Sequence, residues 1–254
     1  MVVAYLVDAI RKKQMAHFLK ATGVCALGAL IGVSINLSNL YHTWEYSKES
    51  MRGKSELVKQ RSANQTDSGL ERDYITQWSY GVDETWTLLV PNTKGGASVP
   101  LAQSETAMQK ADPQFMEVYQ QLGQYWGDQP MTSGPVYVGA FVLMLFFLGA
   151  LIVKGPIKWA LVAATYLSVM LSWGHNFMGL TDFFIDYMPM YAKFRTVASI
   201  LVIAEFTIPL LAMLALKELI EHPEVLQEKL TMRDKLPVTI FVSWLSVFAR
   251  KKRD

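Results

Sequence analysis

Cysteine occurs once in 254 residues, as Cys25, and it lies inside an apolar run. A disulfide framework is therefore excluded, and any part of the chain outside a membrane must hold together by packing and hydrogen bonding. Histidine is nearly as scarce, with four residues, and no His or Cys pair falls at the spacing of a zinc site. Neither a Gly-rich phosphate loop nor a nucleophile elbow occurs. An excess of one charge is missing too. Lys and Arg number 24 against 22 Asp and Glu, and the resulting +2 gives no field that points to nucleic acid. Charged residues make up only 18% of the chain, below the roughly 25% of an average soluble domain. No cofactor and no resident metal are expected, and no side chain stands out as a catalytic group.

Long hydrophobic runs are abundant. Pro135 to Val153 (PVYVGAFVLMLFFLGALIV) is 19 residues without a charge. After Lys158 comes WALVAATYLSVMLSW, also uncharged, and Thr196 to Leu216 is 21 residues with one charge. Ala21 to Leu40 is a fourth run, diluted at its end by Asn36 and Asn39. A hydrocarbon core about 30 Å thick takes roughly 17–25 apolar residues per helix. The expected fold class is an all-α integral membrane protein, a polytopic helical bundle of about four spans with a helical and loop extracytoplasmic segment.

The basic residues set the expected orientation. Arg11, Lys12 and Lys13 precede the first run, Lys154 and Lys158 fill the short link between the second and third, and Lys217, Lys229, Arg233, Lys235 and Arg250 to Arg253 follow the last. Short loops rich in Lys and Arg stay cytoplasmic, so all three clusters fall on one side, as four spans require. Four regions follow. Residues 1–41 hold the end of an earlier helix and the first full span, and 42–134 form the extracytoplasmic segment. Residues 135–216 hold three spans with an external loop at 174–195, and 217–254 form a cytoplasmic or interfacial tail. The apolar stub MVVAYLVDAI and the run LPVTIFVSWLSVFA before the basic end read as pieces of a larger membrane protein.

Within the external segment, residues 54–70 read as a mobile linker by composition. Helix is expected to continue past the first span towards Gly53. Asp83 is a candidate cap for a short helix, and Asp112-Pro113 marks a helix start with Asp at the N-cap and Pro at N1. Residues 97–111 read as loop. Thr181 is expected to cap a helix that Pro189 ends.

Three groups of residues are candidates for chemistry. Glu205 lies nine residues into the last run, where a carboxylate costs at least ~2.5 kcal/mol and marks a functional site by default. The alternative is a protonated Glu bonded to a hydroxyl of a neighbouring helix. Pro209, four residues on, is expected to kink the helix. His175, Asp182, Asp186, Lys193 and Arg195 gather at the outer boundary, with the two aspartates at i, i+4 on one helical face. A solvated interfacial loop is the plain reading there, and anion binding by Arg195 at a helix N-terminus is the functional one. A metal held by His175 and the aspartates is weaker, because the spacing is irregular. Trp78, Asp83, Glu84, Trp86, Trp126 and Asp128, with Tyr80, Asn92, Lys94 and Tyr125, place aromatic faces beside carboxylates and amides. That composition suits sugars, and it also suits anchoring at a membrane interface.

The stretches QWSYGVDETWTLLVPNTKGG, YWGDQPMTSGPVYVGA and LSWGHNFMGLTDFFIDYMPMYAKFRTVASILVIAEFTIPLL resemble the YfhO family of bacterial membrane proteins, over roughly residues 1–230. That family is similar to C-type glycosyltransferases, which move a sugar from a polyprenyl-phosphate carrier to an acceptor at the outer face of the membrane. The resemblance implies a multi-pass protein of the bacterial cytoplasmic membrane, with the lipid bilayer, a polyprenyl-phosphate-linked sugar and an envelope glycan acceptor as partners. It implies a longer chain whose catalytic acid precedes Met1, so that these residues alone are inactive. On it, Arg195 and Lys193 meet the carrier phosphate, the Trp78–Trp86 and Tyr125–Asp128 stretches border the sugar, and His175, Asp182 and Asp186 are further candidates for the sugar or acceptor. A transporter or flippase subunit using Glu205, or a non-catalytic envelope scaffold, stays open beside it.

Overall fold

The computed structural model describes residues 2–50, 52–53, 66 and 69–222. Most of the linker read at 54–70, and the tail from 223 with its basic end, lie outside the described residues. The chain is mostly helical. Two helices, Met15–Ile35 and Val197–Glu221, are long and apolar enough to cross a membrane, and a third span exists if the bent pair Pro156–Ser172 and Gly174–Tyr187 counts as one.

The chain opens with α1 (Val2–Arg11), α2 (Met15–Ile35) and α3 (Leu37–Lys48). The first apolar run thus begins and ends about five residues earlier than its composition indicates, and helix resumes after a break at Asn36. The stub MVVAYLVDAI is a helix of its own, α1, which packs on a later helix and buries Ala9. No residue of α2 is buried.

The core is a three-helix packing of α7 (Ala140–Ile152), α8 (Pro156–Ser172) and α10 (Leu201–Glu221). Small residues let the helices approach, as is usual in lipid. Ala204, Ala212 and Ala215 are buried along α10. A Cβ on Gly149 of α7 would stand 2.8 Å from the Leu211 carbonyl oxygen and 3.2 Å from the Ala215 Cβ. Two polar clamps add to the seam. The hydroxyls of Thr165 and Thr207 share a hydrogen bond of 2.7 Å between α8 and α10, and Ser168 Oγ donates to the Ile200 carbonyl at 2.7 Å.

Two runs that look long enough to span form shorter helices. The run 135–153 is helical only from Ala140, and 13 residues rise about 20 Å. Gly139 sits at φ +106°, and the Val138 N–H donates to the Leu88 carbonyl at 3.4 Å, so the run's start is spent tying α7 to the external segment. In α8, 17 residues rise about 25 Å. The chain then turns by 112° into α9 (Met178–Tyr187), which lies across the end of the bundle. Gly174 makes that turn possible: its φ is +46°, and a Cβ there would collide with the Ser79 hydroxyl.

The segment between α3 and α7, the external segment of the expected topology, holds α4 (Arg72–Ile75), β1 (Gly95–Pro100), α5 (Glu105–Met108), α6 (Met116–Gln121) and β2 (Gly123–Tyr125). The strands pair antiparallel, although β1 covers residues that read as loop. GGASVP has no alternation to signal a strand, and its partner lies beyond a 22-residue excursion. The Asp112 cap forms as expected, with its carboxylate accepting from the Gln114 N–H at 3.1 Å and Pro113 at N1. Three backbone bonds seat this segment on the bundle: Tyr80 N–H to Ser172 at 2.8 Å, Ala198 N–H to Trp78 at 3.0 Å and Leu70 N–H to Ala192 at 2.9 Å. The Tyr80 ring enters the buried cluster that holds Phe146, Leu201, Ala204 and Ile208.

Candidate functional site at the outer rim

The candidate residues fall into four places. The first is built on Arg195, just ahead of the turn Val197–Ile200 that leads into α10. Its guanidinium carbon stands 4.6 Å from the Trp78 ring centre and 5.2 Å from that of Tyr74, and Nη1 donates to the Tyr74 hydroxyl at 2.6 Å. Stacking of this kind holds a guanidinium in place while leaving its remaining donors free. Arg195 is exposed. Lys193 is tied: its Nζ donates to the Arg52 carbonyl at 3.1 Å, and Arg52 Nε donates back to the Lys193 carbonyl at 2.9 Å. This strap draws the chain following α3 onto the rim. A cavity of about 220 Å³ opens beside it, lined among others by Ile185, Asp186, Met190 and Lys193. That volume suits a headgroup and is below the usual size of a pocket that engulfs a whole drug-sized ligand. Tyr191 packs nearby, and burial raises its pKa; its hydroxyl has no partner among the described residues.

The second place is a clamp. Arg72 Nε donates to Asp182 at 3.1 Å and Nη2 to Asp186 at 2.7 Å. The i, i+4 spacing on α9 puts both carboxylates on one face, and one arginine from α4 takes both. The aspartates therefore fasten the external segment to α9. Thr181 lies inside α9 rather than at its cap, and its buried hydroxyl donates to the Gly174 carbonyl at 2.9 Å. The helix ends at Tyr187, two residues before Pro189, where Met188 is already extended.

The third place is a polar knot around Gly81. Glu84 is buried, and its carboxyl accepts from the Gly81 N–H at 3.1 Å, the Tyr125 hydroxyl at 2.8 Å and Gln129 Nε2 at 3.4 Å. The Gly81–Glu84 bond ties a residue ahead of the helical turn Asp83–Leu88 to a side chain inside it. Tyr80 and Thr87 join their hydroxyls, and Thr87 donates to the Glu84 carbonyl at 2.6 Å. Burial pushes the Tyr80 phenol up to about 12; the Thr87 bond lowers it in part, and the negative charges of Glu84 and Glu205 raise it. Burial likewise raises Tyr125. At the knot's surface Lys94 pairs with Asp83 and holds its carboxyl below the usual range. Asn176 Nδ2 donates to Asp128 at 3.0 Å and to the Tyr80 carbonyl at 3.1 Å. The exposed His175 gives its backbone N–H to Ser79 Oγ at 2.9 Å. Trp86 and Trp126 stay 60% and 67% exposed, so their ring faces are open while Trp78 lies beneath Arg195.

The fourth place stands apart. Glu205 is exposed on the outer side of α10, and among the described residues no hydrogen bond or ion pair reaches it. The buried polar groups inside the bundle are hydroxyls instead, among them the Thr165–Thr207 pair and Ser168.

Arg72, Tyr74, Asn176, Gln129 and Arg52 carry these arrangements and were not legible as such. Arg72 sits between Glu71 and Asp73, and its partners are 110 and 114 residues away. A G-x-x-E spacing at Gly81–Glu84 was the one local signal available. Comparison with protein families, curated proteins and solved structures finds no match for this chain.

Proposed function

We propose that this chain is part of a YfhO-type bacterial multi-pass membrane protein that handles a polyprenyl-phosphate-linked sugar at the outer face of the cytoplasmic membrane. Its role there is transfer of the sugar to a cell-envelope glycan. In this reading the chain crosses the membrane four times, with 42–134 and 174–195 outside and Lys154 and Lys158 inside. α7 and α8 supply the two shorter passages, helped by local thinning or tilt, and α9 lies outside after the bend.

The observation that carries the reading is Arg195. It is an exposed guanidinium held on two aromatic faces at the outer end of the longest apolar helix. A fixed guanidinium at a helix N-terminus suits a phosphate. Lys193 and the small cavity beside it extend the cationic rim, and Trp86, Trp126 and Asp128 offer open faces for a sugar or acceptor. Asp83, Glu84, Asp182 and Asp186 are engaged by Lys94, Tyr125 and Arg72, so in this reading they hold the rim's shape.

The test is Arg195→Ala in the whole protein. Glycan transfer is expected to be lost with expression unchanged, and wild-type transfer would remove the role. Transport is the second reading, favoured by the lone Glu205 four residues ahead of Pro209. It requires pH-dependent flux that Glu205→Gln abolishes. A scaffold requires neither result.

A further inference from the structure

α1 and α8 leave a cavity of about 760 Å³ between them. That volume falls within the ~300–1,000 Å³ of sites that take a small molecule. Its walls are apolar, with Val3 and Val7 on α1 and Pro156, Ala160 and Ala163 on α8. This face of α8 points away from α10, because Leu161, Thr165 and Ser168 take the buried side. From Val3 to Arg11 the groove rises about 12 Å, within one leaflet of a hydrocarbon core about 30 Å thick.

Charge is confined to one end. Arg11 lines the cavity at the close of α1, exposed, and among the described residues no hydrogen bond or ion pair reaches its side chain. Lys12 and Lys13 follow it, Lys154 precedes the lining residue Gly155, and Lys158 precedes Trp159. Asp8 is the one acid among the lining residues, and Lys12 Nζ holds its carboxylate at 2.8 Å. These cations share one end of the bundle. α8 begins away from the rim, since its other end, Ser172, bonds the external segment. Arg11 stands just before α2, whose far end leads through α3 to Arg52 on the rim. Trp159 lines the same end of the cavity and is 65% exposed, as an indole at the level of lipid headgroups is.

We infer that this groove seats an anionic phospholipid, with its phosphate against Arg11 and its acyl chains against Val3, Val7, Ala160 and Ala163. An apolar trough alone accepts any lipid, and a basic patch alone attracts any anion. Together at one membrane depth they recognise a molecule that is an anion at one end and hydrocarbon along the rest, as basic pockets between membrane helices do. The inference requires α1 and α8 to lie in the membrane. It does not depend on the sugar-transfer reading, whose rim is at the other end of α8.

The experiment places the whole protein in phosphatidylcholine nanodiscs containing a phosphatidylglycerol with a photoactivatable diazirine on its acyl chain, and mass spectrometry locates the adducts. Adducts are expected on residues 2–11 and 156–163, several-fold above those left by a phosphatidylcholine carrying the same chain. Arg11→Gln is expected to cut the phosphatidylglycerol adducts there about fivefold, the weight of one cation near an anionic lipid surface, and to leave the phosphatidylcholine adducts unchanged. Ala160→Trp fills the trough and should remove adducts of both lipids from α1 while those on α2 persist. Equal labelling by the two lipids, phosphatidylglycerol labelling that survives Arg11→Gln, displacement of the label by free glycerol phosphate, or no adduct on α1 and α8 because another segment fills the groove would each overturn the inference. The comparison of the two lipids on the unsubstituted protein decides the matter if a variant fails to fold.

Discussion

Glu84 and Glu205 are both acids at places where a carboxylate is costly, one for its burial and one for its apolar helix, and the chain treats them oppositely. Glu84 lies in the external segment, buried, with a backbone N–H, a phenol and an amide converging on its carboxyl. Glu205 lies in the longest apolar helix, exposed, where among the described residues no hydrogen bond or ion pair reaches it and its charge acts only at a distance, on the Tyr80 phenol. The first is a structural anchor. Removing it leaves donors stranded at the joint between external segment and bundle. The second makes no hydrogen bond or ion pair among the described residues, and its charge only raises the Tyr80 phenol. Burial with partners and exposure without them thus separate an acid that builds the structure from one that the structure leaves open.

Four variants, two of them set beside a control substitution that should change little, break or sharpen that contrast, in falling order of effect. Glu84→Ala is expected to cost about 3 kcal/mol, because three donors lose their acceptor in a dry site. Glu205→Leu in the same chain should leave the unfolding midpoint unmoved; both are read by tryptophan fluorescence in detergent. Gly149→Leu tests the two faces of α10. The added side chain would meet the backbone and side chain of Leu211 and Ala215, and overpacking should cost about 2–3 kcal/mol. Phe206→Leu on the bare face should cost little.

Tyr80→Phe reads the knot through pH. The Tyr80 phenol titrates near 10 when unfolded and at about 12 in place. Its contribution is therefore fully present below pH 10 and lost as pH climbs from 10 towards 12, on the order of 2 kcal/mol in all. The phenylalanine variant should show a shallower alkaline loss, and an unchanged slope would count against burial as the cause. Arg72→Ala is the smallest, about 1 kcal/mol, since the two aspartates it meets are substantially exposed. Faster protease cleavage around α4 is its expected mark.

How far the sequence spoke depended on whether the deciding contact was local. The span of α10 was legible because uninterrupted apolar length is a local property, and so was the Asp112-Pro113 start. The shortened α7 was not legible, since Pro135 to Gly139 are apolar yet extended, held by a bond to Leu88 far back in the chain. The bend after α8 turns on Gly174 meeting Ser79, a contact 95 residues apart that no periodicity reveals. At the rim, the chemistry of Arg195 was visible from its position. The stacking on Tyr74 and Trp78 was not, nor was the capture of Asp182 and Asp186 by Arg72. Glu205 was conspicuous in the sequence for its cost, but its direction, away from the bundle, is set by which face α7 and α8 cover.

Sidedness is the premise on which the rim and the sugar reading both rest. The direct measurement is labelling by a membrane-impermeant maleimide in intact cells, in a Cys25→Ala background carrying Asp186→Cys or Lys154→Cys. The expected result is labelling at 186 and protection at 154 until the membrane is permeabilised. Labelling at 154 with protection at 186 would contradict the account.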